Sequence, residues 1–445
     1  MPSITPFHRQ GLLVVAMTLG AVAQVQAASP DAVRADQEFI RQQQRERALR
    51  QQQETAADIR PEPAQQQQLA DSLPDSESPC FVIQRVQLQG ELAPSFAWLL
   101  PASEHGGEAV VGRCLGTQGI NVLLNRMQNA LIAKGYVTTR VLVPPQNLAS
   151  GTLNIAVLPG RIHAIHLADG TSGRATLRNA IPAKPGDTLN LRDIEQGLEN
   201  LKRVPTVDAD IKIAPAVGSD AQPGDSDLVV QWQQAFPLRL SVALDDSGSR
   251  ATGRYQAGVT VSYDNWWTLN DLFYLSANRS VLIPDGPSKG TEGYTAHYEF
   301  PMGYWLLGAS ASQSRYHQTA SGRNQSIVYS GDSSNGELKL SRVLYRDAQR
   351  KTGGYLLGWV RESRNYIDDT EVQVQHRRMA GWEAGITHRE YLGSGSLDVH
   401  LGYRQGTGAL AALAAPEQAF GGGDLSFADD HGGCSVRPAF PPVGR

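Results

Sequence analysis

The sequence predicts α+β periplasmic domains followed by a transmembrane antiparallel β-barrel. Three observations predict this: an apolar N-terminal segment that ends in small residues, an internal repeat of about 80 residues, and a series of alternating apolar and polar segments from residue 236 onwards. With 445 residues the chain is too long for one ordinary hydrophobic core, so several domains are expected.

The N-terminus has the features of a secretory signal peptide. A short basic region precedes an apolar run from Gly11 to Val25, and the small residues Ala27 and Ala28 follow. The run is shorter than the roughly 20 apolar residues that a spanning helix needs, which favours cleavage over a membrane anchor. Residues 1–28 are therefore predicted to be a signal peptide, and the mature chain is predicted to begin in the periplasm.

Bulk composition narrows the class of protein. The formal net charge of −4 and the pI of about 6.2 give no sign of a nucleic-acid binder. The mean hydropathy of −0.32 excludes a bundle of membrane helices. A membrane β-barrel remains compatible with that value, because a barrel strand is apolar on one side only.

Residues 29–58 are predicted to form a polar helix. Ser29, Pro30 and Asp31 suit a helix start, with a capping residue, a proline in the first turn and an early acid. The stretch is rich in Gln, Arg and Glu, and its few apolar residues form no continuous stripe. Such a helix is solvated, disordered or lodged in a polar cavity. Residues 59–79 are predicted to be a flexible linker.

The chain has three cysteines, of which Cys80 and Cys114 flank one small domain and Cys434 lies near the C-terminus. An oxidising compartment favours a Cys80–Cys114 disulfide. It would close a loop of about 35 residues and contribute roughly 3 kcal/mol in the chain-entropy model. Two buried free thiols are the alternative. No cysteine or histidine spacing indicates a metal site.

The repeat occupies residues 80–160 and 161–235. Each copy has a strand, a helical pattern with apolar residues at steps of three and four, and two closing strands. The predicted elements of the two copies, in order, are 81–88, 120–131, 137–143 and 152–158, then 161–167, 191–201, 207–214 and 227–232. This order predicts a small sheet whose helices cover one face.

Residues 236–420 are predicted to be a partial transmembrane β-barrel. In the first segment Leu238, Leu240, Val242 and Leu244 share one face, and the residues between them share the other. About nine such strands are predicted, and aromatic residues gather at their ends. A soluble β-sandwich alternates in the same way. The signal peptide and the aromatic strand ends favour the barrel.

Several short stretches, in this order and spacing, carry a family resemblance. They are CFVI at 80–83, GYVTTRV at 135–141, LPGRI at 158–162, ENLKRVPT at 199–206, LDDSG at 244–248, RVLYRD at 342–347, HREY at 388–391 and YRQGTG at 403–408. Together with the order of segments they make residues 30 to 420 resemble the outer-membrane transporters of two-partner secretion, the haemolysin secretion-activation or TpsB type.

The resemblance implies a function for each part. The repeats would be POTRA domains that recognise an unfolded TpsA-type exoprotein, which is an adhesin, a haemolysin or a contact-dependent toxin. The barrel would sit in outer-membrane lipid, inserted by the outer-membrane barrel assembly machinery, and act as the pore. The helix at 29–58 would plug that pore at rest. Cofactors are not implied.

Candidate site residues follow from this reading. The helix arginines either hold the plug against acids of the barrel interior or belong to a solvated helix: Arg34, Arg41, Arg45, Arg47 and Arg50. The candidate substrate-binding residues lie at predicted sheet edges or in the family-like stretches: Val137, Thr139, Arg140, Val141, Arg203 and Val207. Structural roles for the two arginines of this second set, Arg140 and Arg203, remain an alternative.

The sequence departs from the family pattern at its C-terminal end. Transporters of this type have sixteen strands, whereas about nine are predicted here. After Phe420 the alternation gives way to glycine-rich sequence, and neither a Val-Arg-Gly-aromatic motif nor a terminal aromatic strand follows. The hypothesis is a frameshift or truncation near residue 421, with residues 421–445 an aberrant, out-of-frame tail.

Enzymatic activity is not predicted. The stretch Gly331-Asp332-Ser333 lacks the Gly-x-Ser-x-Gly spacing of a nucleophile elbow. Two other functions remain as alternatives to transport. One is assembly of other outer-membrane proteins by a POTRA-bearing factor, and the other is periplasmic binding without translocation.

Overall fold

The computed structural model describes residues 30–54, 58–59, 72–104, 108–171, 173–281, 288–321, 325–393, 395–414 and 428–438. They form a long helix α1 (Pro30–Gln53), two α+β units and a large antiparallel sheet. The predicted signal peptide and most of the predicted linker lie outside the described residues. Among the helices described, none combines the length and apolar character needed to span a membrane.

The first α+β unit is a three-stranded sheet covered by a helix. Its elements are β1 (Phe81–Val82), β2 (Arg85–Gln89), α2 (Leu99–Ala102), β3 (Cys114–Leu115), α3 (Thr117–Ala133), β4 (Arg140–Leu142) and β5 (Thr152–Leu158). The sheet order is β2-β5-β4, with β2 parallel and β4 antiparallel to the central β5. The apolar stripe of α3 packs on this sheet, and Leu123, Met127 and Leu131 are fully buried.

Two strands of this unit differ from the sequence prediction. The predicted strand 81–88 is two strands, because the chain changes partner at Ile83 and Gln84. Before that point β1 pairs with β3, and after it β2 pairs with β5. The predicted strand 137–143 is reduced to β4, and Thr139, just before it, is fully buried.

A disulfide joins Cys80 to Cys114 beside the short β1–β3 pair. Just before it, the Glu77 carboxylate accepts hydrogen bonds from the backbone N–H groups of Gly116 and Gln118 at 2.6 and 2.7 Å. N–H groups at the start of a helix have no partner within the helix, and a carboxylate is favoured there. The last residues of the predicted linker are therefore fixed to the first unit rather than flexible.

The second unit repeats this topology. Its elements are β6 (Ile162–Leu167), α4 (Leu191–Lys202), β7 (Val207–Pro215) and β8 (Ser226–Gln234). The sheet order is β6-β8-β7, again with the last strand central and parallel to the first. Ile194 and Leu201 of α4 pack against Leu228 and Trp232 of β8 in the core. The strand, helix and hairpin order predicted for both copies is confirmed.

The large sheet is an antiparallel meander. Its strands are β9 (Leu238–Asp245), β10 (Gln256–Asp264), β11 (Leu272–Ser280), β12 (Lys289–Met302), β13 (Trp305–Ser321), β14 (Ser326–Arg346), β15 (Arg350–Ile367), β16 (Thr370–Glu371), β17 (Arg377–Leu392), β18 (Gly395–Thr407) and β19 (Ala428–Pro438). Each long strand pairs with the next long strand in sequence, and the two-residue β16 pairs with β15 alone.

The long strands up to residue 407 match the predicted nine, and β19 adds a tenth. No strand is predicted after residue 420. In the structure β19 pairs with β18 from Gly395↔Pro438 to Gln405↔Ala428. Strand pairing uses main-chain groups: every residue supplies a C=O group, and every residue except proline supplies an N–H group. It therefore does not require the side-chain alternation on which the prediction depended.

The sheet exposes its apolar face and buries its polar face, which is the reverse of a sheet in a soluble protein. The outward side chains of Leu240, Val242 and Leu244 are 67–74% exposed. On the neighbouring strand the polar side chains of Ser262 and Asp264 are buried. A β-sandwich would bury the apolar face, so that alternative is excluded. Apolar residues outside and polar residues inside are the pattern of a strand that faces lipid.

Candidate functional site

Helix α1 lies on the polar face of the sheet, and the sheet curls around it. Gln53 accepts hydrogen bonds from Arg239 of β9 at 2.9 Å and from Ser262 of β10 at 2.8 Å, while Arg50 donates to Glu337 of β14 at 2.8 Å. β9 and β14 are five strand spacings apart, which is about 24 Å on a flat sheet. A helix is about 10–12 Å wide, so one helical turn can reach both strands only if the sheet wraps around it.

The contacts of α1 with the sheet are polar. Gln42 and Gln53 are buried on the helix, and Thr252 donates a hydrogen bond to Glu38 at 2.8 Å. Hydrogen bonds of this kind contribute about 0.5–1.5 kcal/mol each, because water competes for the same groups. The helix is therefore placed by several weak contacts and not by an apolar stripe.

The five arginines singled out in α1 have different surroundings. Arg50 pairs with Glu337 at 2.8 Å, Arg41 pairs with Glu38 of the same helix, Arg45 lines a polar cavity of about 400 Å³ together with Asp245, and Arg47 is exposed. The side chain of Arg34 lies outside the described residues. Among the contacts described, Arg50 is thus the arginine of this set that forms an ion pair with an acid of the sheet.

A buried charge cluster joins α4 of the second unit to the sheet. The guanidinium of Arg346, which is 4% exposed, lies 2.8 Å from Glu195 and 2.9 Å from Glu199. Arg192 also pairs with Glu195, and Lys351 with Glu199. The cluster brings the ENLKRVPT and RVLYRD stretches together. Its carboxylates are not predicted from the sequence, because nothing in the local pattern shows that residues 150 positions apart meet.

The same cluster fixes the start of the predicted linker. The Ile59 N–H donates to Glu199 at 3.2 Å, and its carbonyl accepts a hydrogen bond from Arg346 at 2.7 Å. One residue earlier, Asp58 pairs with Arg389 at 3.1 Å and accepts a hydrogen bond from Tyr391. The HREY stretch therefore contacts the segment that follows α1. Residues 60–71 lie outside the described part of the chain.

A second group of contacts docks the second unit on the turn between β12 and β13. Arg203 pairs with the buried Glu299 at 2.7 Å. Asn200 donates to the carbonyl of Gly303 at 2.7 Å, and the N–H of Gly303 donates to the carbonyl of Asn179 at 2.7 Å. A cavity of about 690 Å³ opens beside this contact, lined by Asn200, Arg203 and residues of β14, β15 and β17.

The structure buries three of the six candidate substrate-binding side chains. Thr139 is fully buried and accepts a hydrogen bond from the N–H of Gly160 at 3.2 Å, and Val141 lies in the first core. Val207 lies in the second core, and Val137 packs against that core from the first unit. Substrate binding by these residues stays a prediction, one that the buried side chains restrict to main-chain contacts.

The two candidate arginines differ in exposure. Arg140 is exposed on β4, and its guanidinium donates to the carbonyl of Val137 at 3.0 Å. Arg203 is mostly buried in its pair with Glu299. Arg203 therefore orients the second unit against the sheet, the structural role that the sequence analysis left open for it.

Three protein-family models match the chain. The model for the haemolysin secretion/activation protein ShlB/FhaC/HecB matches residues 224–429, and two POTRA-domain models match residues 81–160 and 161–215. The chain belongs to the haemolysin secretion/activation protein family. Its two α+β units are POTRA domains, and its large sheet is the part that the ShlB model covers.

Individual relatives agree with this assignment. The chain is 36% identical over 367 residues to the outer membrane transporter CdiB-2 of Burkholderia pseudomallei strain 1026b, covering 79% of this chain and 61% of that one. The solved structure of CdiB from Escherichia coli superimposes with a TM-score of 0.77 at 27% identity, covering 91% of this chain and 74% of that one. CdiB from Acinetobacter baumannii gives 0.74 at 29% identity, covering 85% and 71%.

The chain spans about three fifths of the length of the curated relatives that it matches.

Proposed function

We propose that the chain belongs to an outer-membrane transporter that exports a partner exoprotein in two-partner secretion, with its POTRA domains in the periplasm. The observation that carries the proposal is the polar helix α1, enclosed by a sheet whose apolar side faces outward. Such a sheet suits lipid on the outside and a polar passage on the inside. The names of the relatives, outer membrane transporters among them, support the same conclusion.

Capture of the exoprotein takes place at the free sheet edges of the POTRA domains. β4 and β7 are edge strands in the order of their sheets. An extended segment that adds to such an edge is bound through main-chain hydrogen bonds, with little demand on its sequence. This mode suits an unfolded substrate, and it fits the burial of Thr139, Val141 and Val207, whose side chains need not contact it.

Cross-linking tests which edge binds the exoprotein. A photo-reactive amino acid replaces Leu142 on β4, or Gln87 on β2 as the matched control, and both positions are exposed on opposite edges of one sheet. The chain is co-expressed with a candidate TpsA-type exoprotein. Cross-links from position 142 that exceed those from position 87 support capture at β4, and the reverse result overturns it.

Secretion of the same exoprotein into the medium tests the transport step. Release that depends on this chain supports translocation. Cross-links without release would instead assign a periplasmic binding function. Loss of other outer-membrane proteins, with the exoprotein neither bound nor released, would assign the assembly-factor function.

Helix α1 closes the passage at rest, and deletion of residues 30–53 is expected to raise the ion conductance of the protein in planar bilayers several-fold. The substitution Arg50→Gln should raise the frequency of channel openings, because it removes the ion pair with Glu337, whose side chain is largely buried. Arg47→Gln is the matched control, since Arg47 is exposed on the same helix. Equal conductance of the deleted and intact proteins would refute a plug function for α1.

A further inference from the structure

Three metal-ligand side chains meet where α1 ends on strand β12. Glu54 directly follows α1, and His297 and Glu299 lie two residues apart on β12, so they project from the same face. One ligand atom from each lies within 4.8 Å of the other two. Nε2 of His297 is 3.8 Å from Oε1 of Glu54 and 3.7 Å from Oε2 of Glu299. Both distances are too long for hydrogen bonds.

The histidine is buried with one ring nitrogen unsatisfied. His297 is 6% exposed, and its Nε2 has no hydrogen-bond partner among the described residues. The other nitrogen, Nδ1, is 2.8 Å from the hydroxyl of Ser310, and the ring stacks on Tyr274 at 4.9 Å. A hydrogen bond at the second nitrogen is what orients a metal-binding histidine. The ring is therefore held with Nε2 directed at the two carboxylates.

The C-terminal end of the α1 dipole also favours a cation at this point. Glu54 lies at the C-terminal end of α1, where the helix dipole disfavours a carboxylate and favours positive charge. Arg203 pairs with Oε1 of Glu299 at 2.7 Å, which leaves Oε2 directed towards His297. A divalent cation between the three groups would satisfy Nε2 and both free carboxylate oxygens.

We propose that Glu54, His297 and Glu299 form a zinc site that fastens the end of α1 to the sheet. Zinc binds imidazole nitrogen and carboxylate oxygen at about 2.0–2.2 Å, so tetrahedral ligand atoms lie about 3.4 Å apart. The two separations from Nε2, 3.7 and 3.8 Å, need to close by a few tenths of an ångström, and the two carboxylate oxygens, which lie within 4.8 Å of each other, by up to about 1.4 Å. An imidazole ligand selects zinc over calcium or magnesium, which prefer oxygen ligands. Zinc binding then stabilises the closed position of α1.

The test measures zinc binding to the purified chain in detergent, after removal of any histidine tag, by isothermal titration calorimetry at pH 7.5. One zinc ion per chain is expected, and His297→Gln or Glu54→Gln should weaken binding at least tenfold. Glu54 is partly exposed, so its substitution leaves the core intact even if the buried histidine variant folds poorly. His166→Gln is the matched control, because His166 is exposed on the second POTRA domain.

Hydrogen exchange of the last turn of α1 gives a second readout. Zinc should slow exchange there at least tenfold, EDTA should reverse the effect, and Glu54→Gln should abolish it. Absence of zinc binding, or binding that both variants leave unchanged, overturns the proposal. Slower exchange at low pH without zinc, dependent on His297, would overturn it in favour of a protonated histidine that bridges the carboxylates. These outcomes do not depend on whether the chain transports an exoprotein.

Discussion

The substitution Arg346→Met should loosen the second POTRA domain from the sheet by about 3 kcal/mol. Arg346 is the most buried cation of its cluster, and its loss leaves Glu195 and Glu199 buried with less compensation. Breaking a buried ion pair typically costs 3–5 kcal/mol. We expect the lower value, since Arg192 and Lys351 still pair with the two carboxylates. Hydrogen exchange of the α4 backbone amides in detergent micelles measures the effect.

Two further variants show whether this effect comes from the buried charges. Arg350→Met removes a nearby arginine that is 53% exposed and pairs with Glu390, so it should change exchange of α4 little. Adding Glu195→Gln and Glu199→Gln to Arg346→Met should recover part of the loss, because the buried negative charge is removed as well. If Arg346→Met exchanges like the unaltered protein, the cluster does not hold the interface.

The double substitution Cys80→Ser and Cys114→Ser should destabilise the first POTRA domain by about 3 kcal/mol. The disulfide joins residues 34 positions apart, and the loop that it closes contains β2 and α2. Its removal enlarges the conformational freedom of the unfolded chain more than it changes the folded domain. Urea unfolding followed by protease resistance of residues 81–160 measures the loss.

Reduction provides the control for this prediction. Dithiothreitol should lower the stability of the unaltered domain to that of the double variant, and it should leave the double variant unchanged. The second POTRA domain has no cysteine within its matched residues, so its own stability should be insensitive to both treatments. A double variant as stable as the oxidised protein would show that the core of Leu123, Met127 and Leu131 suffices without the disulfide.

Periodicity alone predicts the two main helices of the α+β units and the long strands up to residue 407. The steps of three and four in residues 120–131 and 191–201 specify α3 and α4, because an amphipathic helix must bury one stripe. The alternation in residues 238–245 likewise separates the two faces of β9. Such patterns depend on neighbouring residues, and for that reason they can be read without knowledge of the fold.

Which residues pair when they are far apart in the sequence was decided by the tertiary structure. Arg50 meets Glu337, and Arg346 meets Glu195, only because the sheet curls around α1 and α4 docks at its end. The same applies to β19, whose pairing with β18 uses main-chain groups that carry no sequence signal. Local patterns therefore determined which face of each element is polar, whereas the global path of the chain determined which polar groups meet.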